Sequence, residues 1–179
     1  RLPMKIAVMG YSGSGKSTLA KWLGAREHLP VLYLDTVQFL PNWQERNREA
    51  ARAMVAEFMR GDDWVIDGNY PAFFEQERLA QADHIVYLNF SRCACLIRAL
   101  RRYRACRNTA RESMAAGCAE KFDWEFARWI LHDGRTKRRR AHNADIARQY
   151  KDKCVVLKNQ RQLDQFMQAP FQEGSFTPK

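Results

Sequence analysis

A chain of 179 residues with 46% hydrophobic residues is long enough for one domain with a substantial core, and its composition argues against disorder. No apolar run approaches the roughly 18 residues that a transmembrane helix needs, and the first residues do not predict a signal peptide. The formal net charge of +10 is concentrated in two arginine-rich stretches, residues 98–111 and 135–148. Such stretches suit nucleotide phosphates as well as a nucleic acid backbone.

The amino-terminal segment predicts a strand, a glycine-rich loop and a helix in succession. Residues 4–9 form an apolar run suited to a buried parallel strand. Residues 10–18 fit the phosphate-binding pattern G-x-x-x-x-G-K-[ST]. Leu19, Trp22 and Leu23 then recur at helical spacing. With a strand before it and a helix after it, the motif indicates a nucleotide-binding loop.

The chemistry of a polyphosphate accounts for the residue types in this loop. Glycines let the backbone turn tightly and bring its N–H groups close to an anion. The following helix directs its positive dipole end at the same place. Lys16 can neutralise the outer phosphates, and the Ser17 hydroxyl can ligate the Mg²⁺ that accompanies them.

Two further apolar segments predict strands that lead into aspartates. Residues 30–34 lead into Asp35, and residues 64–66 lead into Asp67, the first residue of an Asp-Gly-Asn-Tyr-Pro run. The carboxyl ends of strands in an open α/β sheet face the binding crevice. Asp35 is therefore placed to contact a substrate hydroxyl or the magnesium shell, or else to cap the next helix. Asp67 is placed to reach the magnesium shell, or else is a turn residue before glycine.

Helical patterns fill the intervals between strands and predict a parallel sheet covered on both faces. We expect helices at 43–60, 75–81, from 92 onward, 122–134, 135–148 and 160–167, with further strands at 84–88 and 154–158. We expect one domain over residues 1–170 and a flexible tail over residues 171–179.

Arginines recur at short intervals on the helix that follows residue 92, at Arg98, Arg101, Arg104, Arg107 and Arg111. These spacings place several guanidinium groups along one side of the helix. Residues 107–117 contain breaks and predict a mobile flap. In the second basic stretch, most charges predict a solvated face, and one or two turn inward.

The five cysteines are an odd number without the pairing of a zinc site. They predict free buried thiols in a reducing cytoplasm.

In these motifs the chain resembles the adenylate-kinase-like branch of P-loop kinases, and more narrowly the bacterial "DNA topology modulation protein" (FlaR) type. The residues that carry the resemblance are 10–18, Leu34-Asp35, 67–70 and 117–123. The resemblance implies an α/β P-loop fold of three layers, with a five-stranded parallel sheet ordered 2-3-1-4-5. It also implies an arginine-rich helical lid over roughly 104–138, with ATP and Mg²⁺ as cofactors.

The same resemblance implies which residues bind and react. The nucleotide-binding set is Gly10, Ser12, Gly13, Ser14, Gly15, Lys16, Ser17 and Thr18, and the metal-binding set is Ser17 and Asp67. The catalytic candidates are Lys16, Asp35, Arg104, Arg107 and Arg138. Adenylate kinases carry an arginine after the third strand that grips a nucleoside monophosphate, and residues 67–71 lack it. Asp35 instead resembles the acidic residue with which shikimate- and uridine-type kinases address a hydroxyl.

These features predict an ATP-dependent phosphotransferase with an unidentified acceptor. The alternative is a nucleotide-regulated nucleic-acid-binding protein that modulates DNA topology. The charge favours this alternative, whereas the sequence contains no helix-turn-helix, no zinc finger, and no aromatic and basic platform for stacking bases. A nucleotide-binding scaffold without turnover is a third possibility.

Overall fold

The computed structural model describes residues 1–105 and 122–172. The strands in this part of the chain are β1 (Lys5–Gly10), β2 (Val31–Tyr33), β3 (Phe39–Leu40), β4 (Gln44–Glu45), β5 (Trp64–Asp67), β6 (His84–Leu88) and β7 (Cys154–Leu157). The α-helices are α1 (Lys16–Glu27), α2 (Leu34–Gln38), α3 (Arg48–Met59), α4 (Glu75–Gln81), α5 (Arg92–Ala105), α6 (Trp124–Leu131), α7 (Lys137–Gln149) and α8 (Gln160–Gln168). A turn with non-helical backbone spans Pro41–Trp43, and a 3-10 turn spans Asp133–Arg135.

Five strands form a parallel sheet in the order β2-β5-β1-β6-β7. The two remaining strands, β3 and β4, form a separate antiparallel hairpin, which comes between β2 and β5 in the sequence. Sequence analysis did not predict this hairpin. The strand order therefore differs in its numbering from the predicted 2-3-1-4-5, because two additional strands precede the third strand of the sheet.

The sheet is buried on both sides. Trp64, Val65 and Ile66 are consecutive residues of β5, and each is 0% exposed. Successive strand residues point to opposite faces, so continuous burial requires cover on both faces of the sheet. Helix α1 supplies part of this cover through its contacts with β1, β2 and β5. The glycine-rich loop lies between β1 and α1, at the carboxyl end of the central strand.

Several predicted boundaries are wrong, and local capping explains two of them. The helix predicted from residue 43 begins at Arg48, after Asn47 accepts a hydrogen bond from the Ala50 N–H at 3.1 Å. The basic helix predicted from residue 135 begins at Lys137, because the Thr136 hydroxyl accepts a hydrogen bond from the Arg139 N–H at 3.3 Å. A polar side chain that satisfies the first free N–H groups fixes the start of a helix.

Other predictions are confirmed, and some fall outside the structure. The short helix at Glu75–Gln81 and the strand at His84–Leu88 have the predicted bounds. Cys93, Cys95 and Cys154 are free cysteines, as predicted, but Cys95 alone of these three is buried and Cys93 is exposed. Arg107, the flap at 107–117 and most of the 117–123 motif lie outside the described residues, as do residues 173–179 of the predicted tail. Within residues 1–105 and 122–172, no helix has the length and apolarity needed to cross a bilayer.

Gly24 sets how closely α1 packs on the sheet. A Cβ atom at this position would overlap the Val31 Cγ2 methyl group and lie 3.1 Å from the Leu29 carbonyl oxygen. Valine has little rotamer freedom with which to yield. The absent side chain of Gly24 therefore permits the contact between α1 and β2.

We predict that Gly24→Ala lowers the free energy of unfolding by roughly 1–2 kcal/mol in urea titrations. Overpacking costs about 1–3 kcal/mol and outweighs the gain of about 1 kcal/mol that alanine brings to a helix. Gly61→Ala is the matched control, because the nearest atom to a Cβ there is 3.4 Å away. A stability unchanged or raised by Gly24→Ala would contradict this packing.

Candidate functional site

The glycine-rich loop is confined on two sides by neighbouring backbone and side chains. Gly10, Gly13 and Gly15 have φ angles of 151°, 81° and 94°, in a region that other residues rarely adopt. A Cβ on Gly13 would lie 2.5 Å from the Cys95 carbonyl oxygen in α5, and a Cβ on Gly15 would lie 2.5 Å from an Arg98 guanidinium nitrogen. Conformation therefore favours glycine at all three positions, and the fixed Cys95 carbonyl also requires it for space at Gly13, which leaves the loop backbone open to a bound anion.

Side chains within the loop divide between structure and ligand contact. Ser14 is fully buried, and its hydroxyl donates to the Tyr11 carbonyl oxygen at 2.6 Å. Lys16 Nζ donates to the same carbonyl at 3.2 Å. An ammonium group has three donors, so this bond leaves Lys16 able to contact phosphate oxygens. Ser14 thus holds the loop together, whereas Lys16 faces the adjoining cavity.

Ser17 and Asp67 bring two side-chain oxygen atoms together at the edge of the loop. Ser17, in the first turn of α1, donates a 2.9 Å hydrogen bond to Asp67 Oδ2 at the end of β5. Asp67 is only 4% exposed, so its carboxylate is held in place by its surroundings. In the described part of the chain, no three His, Cys, Asp or Glu side chains cluster to hold a metal ion. Two oxygen ligands fit Mg²⁺, which is usually held by one or two carboxylates together with substrate phosphates and water.

Asn69 ties the segment after β5 to the start of the glycine-rich loop. Its side-chain oxygen accepts a hydrogen bond from the Gly10 N–H at 3.1 Å, and its amide nitrogen donates to the Gly10 carbonyl at 2.7 Å. Both polar groups of one loop residue are therefore satisfied by one side chain. This bidentate contact fixes the distance between the loop and Asp67.

A buried arginine organises the same segment from beneath. Arg78, on α4, is 2% exposed and donates to four backbone carbonyl oxygens, those of Phe73 (2.7 Å), Asn69 (2.9 Å), Tyr70 (3.0 Å) and Gly68 (3.2 Å). Burial lowers the pKa of Arg78 to about 10, which still leaves it charged at neutral pH. Sequence analysis missed this residue, because nothing in the pattern of α4 marks an arginine as buried.

Asp35 enters the cavity from α2, one residue after that helix begins. It was predicted to follow the second strand directly, but β2 ends at Tyr33 and Leu34 is the first residue of α2. The Tyr70 hydroxyl donates a short hydrogen bond to Asp35 Oδ1. Burial, followed by the charge of Asp35, raises the pKa of Tyr70 well above its usual value. Tyr70 thus remains a proton donor that orients the Asp35 carboxylate.

One cavity of about 740 Å³ joins these groups. Ser12, Gly13, Gly15, Lys16, Ser17, Thr18, Asp35 and Asp67 are the predicted site residues that line it. The predicted residues Gly10 and Ser14 support the loop and are not among the lining residues. Among residues 1–105 and 122–172, the arginines that line the cavity are Arg102 and Arg139.

The predicted lid arginines take other positions. Arg104 on α5 and Arg138 on α7 are exposed and do not line the cavity, and Arg107 lies outside the described residues. Arg135 is buried. Its guanidinium lies 3.9 Å from the centre of the Tyr11 ring and donates to the Phe90 carbonyl at 2.5 Å. Arg135, from the second basic stretch, therefore packs against the glycine-rich loop instead of facing solvent.

Helix α6 also contacts the glycine-rich loop. Trp129 Nε1 donates a 2.9 Å hydrogen bond to the Ser12 hydroxyl, and the Arg139 guanidinium lies 4.9 Å from the centre of the Trp129 ring. Trp129 lies at the edge of the cavity with 38% of its surface exposed.

No family model and no curated protein matches this chain. Its fold is similar to that of shikimate kinase from Bacteroides thetaiotaomicron, with 20% identity, a TM-score of 0.51, and 92% of this chain and 94% of that chain covered. Further similar structures are an uncharacterized protein from Eubacterium ventriosum (15% identity, TM-score 0.49, 87% and 88% covered) and a gluconokinase from Sinorhizobium meliloti (16%, 0.44, 88% and 83%). At this identity, the likeness to the shikimate kinase shows a shared α/β fold and no more. The narrower resemblance to DNA topology modulation proteins stays a prediction.

We predict that Arg78→Met lowers the free energy of unfolding by about 2–4 kcal/mol in urea titrations, because buried carbonyl oxygens lose their donor. Arg60→Met is the control. Arg60 lies at the exposed end of α3, where its ion pair with Glu57 contributes little. Equal stability of the two variants would show that Arg78 does not stabilise the segment after β5.

Proposed function

We propose that this chain is an ATP-dependent phosphotransferase that transfers the γ-phosphoryl group of ATP to a hydroxyl acceptor. The observation that carries the proposal is the convergence of three features on one cavity. These are the glycine-rich loop with Lys16, the Ser17–Asp67 pair at 2.9 Å, and the Asp35 carboxylate. A P-loop scaffold alone would be compatible with hydrolysis or binding, whereas a carboxylate opposite the loop suits an acceptor hydroxyl.

The phosphates of ATP would lie over the loop, where backbone N–H groups and the amino terminus of α1 favour negative charge. Ser17 and Asp67 would hold Mg²⁺, with Ser17 as a direct ligand and Asp67 as a direct or water-mediated one. When bound, Mg²⁺ neutralises charge on the outer phosphates. Lys16, Arg102 and Arg139 would balance the charge of the transferring group from the other sides of the cavity.

Asp35 would accept a hydrogen bond from the acceptor hydroxyl and take its proton. The acceptor oxygen then forms a bond to the γ-phosphorus, the bond between this phosphorus and the bridging oxygen breaks, and ADP leaves with that electron pair. The Tyr70 hydroxyl, bonded to the other side of the carboxylate, keeps Asp35 in position. Catalysis of this kind depends chiefly on positioning and charge neutralisation.

The arginine-rich lid also remains a proposal. Arg102 and Arg139 already line the cavity, so they are the members of the two basic stretches best placed for the transferring phosphoryl group. Arg104 and Arg138 would contact it only if α5 or α7 changed position. Closure of the segment between these helices would exclude water and limit wasteful hydrolysis.

We predict that Lys16→Ala lowers the rate of ADP formation at least about 100-fold, because one preorganised charge next to the phosphoryl group is lost. ADP would be measured in the presence of Mg²⁺, ATP and a pooled panel of nucleosides, nucleoside monophosphates and small hydroxylated metabolites. Lys151→Ala, at an exposed turn far along the chain, is the matched control. An unchanged rate in Lys16→Ala would eliminate the proposed site.

A further inference from the structure

Four aromatic residues of the cavity lining come from β2, the β3–β4 hairpin and the segment after β5, and together they are called the aromatic wall. Tyr33 at the end of β2, Tyr70 after β5, and Phe39 and Trp43 of the β3–β4 hairpin all line the cavity. Phe39 and Trp43 meet edge to face, with ring centres 5.4 Å apart. Tyr70 stacks on Phe73 at 5.4 Å, which fixes the plane of its ring. Four rings held in place around one space favour a ligand with a flat face of its own.

The hairpin that carries Trp43 is built with backbone strain. Asn42 and Trp43 have φ angles of 62° and 60°, and a left-handed conformation is unusual for a residue as bulky as tryptophan. The hairpin is tied to α2 by the Arg46 N–H, which donates to the Gln38 carbonyl at 2.8 Å, and by Arg46 Nε, which donates to the Val37 carbonyl at 2.9 Å. Strain of this kind persists where the surroundings fix it, and it clusters at ligand sites. Here it turns the Trp43 ring toward the cavity.

The same wall carries negative rather than positive charge. Among the described lining residues that belong to the hairpin or follow β2 and β5, Asp35 is charged and none is a lysine or arginine. The cations that line the cavity come from the helices instead, as Lys16, Lys21, Arg102 and Arg139. An acceptor with a phosphate or carboxylate group beside this wall would meet the Asp35 carboxylate, and like charges repel.

The arginines near this wall donate hydrogen bonds to backbone carbonyls of the protein. Arg46 and Arg78 donate to backbone carbonyls, as described above. Arg52 donates to the Ala72 carbonyl, and its guanidinium lies 4.2 Å from the centre of the Phe74 ring. These cations stabilise the wall and do not appear among the residues that line the cavity.

We infer that the acceptor is an uncharged alcohol that carries an aromatic ring or base, such as a nucleoside. This inference rests on the proposed function and names the substrate class of the same site. The ring packs against Trp43 and Tyr70, while the hydroxyl donates to Asp35. Transfer converts the alcohol and ATP to a phosphate monoester, ADP and a proton, with the proton taken by Asp35.

The test measures ³¹P product formation with Mg²⁺, ATP and single acceptors: the common nucleosides, their 5′-monophosphates, and the ring-free hydroxy acids shikimate and gluconate. We expect phosphorylation of at least one nucleoside and of none of the charged acceptors. Phosphorylation of a monophosphate or a hydroxy acid in preference to every nucleoside overturns the inference.

Variants of Trp43 then test the aromatic wall with the accepted nucleoside. We expect Trp43→Leu to raise the KM of the nucleoside about tenfold while the KM of ATP stays unchanged, because stacking on this ring is lost. Trp43→Phe should restore most of the affinity, which separates stacking from a general folding defect. Trp124→Leu is the control, since Trp124 is 78% exposed and does not line the cavity. An unchanged nucleoside KM in Trp43→Leu overturns the inference.

Calorimetric titration with a non-hydrolysable ATP analogue separates this inference from the proposed function. If the analogue binds in a Lys16-dependent manner but no nucleoside is bound or phosphorylated, the inference fails and the phosphotransferase proposal stands. If the analogue does not bind at all, the proposed function fails as well.

Discussion

The close approach of the glycine-rich loop to its neighbours is the constraint on which the rest of the site depends. The Cys95 carbonyl lies where a side chain of residue 13 would stand, and Asn69 holds both backbone polar groups of Gly10. The loop is thus fixed from α5 on one side and from the segment after β5 on the other. These contacts hold the loop backbone in place, and donors held in place are the preorganisation that phosphoryl transfer needs.

The buried guanidinium of Arg78 fixes a second part of the cavity, the turn after β5. One guanidinium satisfies four carbonyls in the turn that presents Asp67, Asn69 and Tyr70. A charge removed from water is costly unless its donors are satisfied, so the turn and the arginine stabilise each other. Through Tyr70, the same turn orients Asp35. Asp67, Gly10 and Asp35 are therefore parts of one connected structure.

Much of this arrangement could be predicted from the sequence, because its signals are local. An apolar run, a glycine-rich motif and a helical repeat specify the path from β1 through the loop to α1. The aspartates that follow apolar strands could be assigned to one edge of the sheet by the geometry of parallel strands alone. Asp35 and Asp67 do line one cavity with Lys16. The structure refines the position of Asp35, which lies in a short helix rather than directly after the strand.

What the sequence could not reveal depends on contacts between distant segments. Helical spacing identified basic helices, but it could not tell which face of α5 or α7 meets the cavity, and Arg102 and Arg139 lie there rather than Arg104 and Arg138. The hairpin that carries Trp43 consists of two-residue strands, which are too short to show an alternating pattern.

The central claim is that the loop and the Ser17–Asp67 pair together form a site for Mg²⁺ and the outer phosphates of ATP. The most direct measurement is calorimetric titration of a non-hydrolysable ATP analogue with and without Mg²⁺, on the original chain and on Asp67→Asn. We expect Mg²⁺ to tighten binding to the original chain by about tenfold or more, and Asp67→Asn to abolish this gain. Asp62→Asn, at an exposed turn, should preserve it. A gain that survives in Asp67→Asn, or that is absent from the original chain, would contradict the claim.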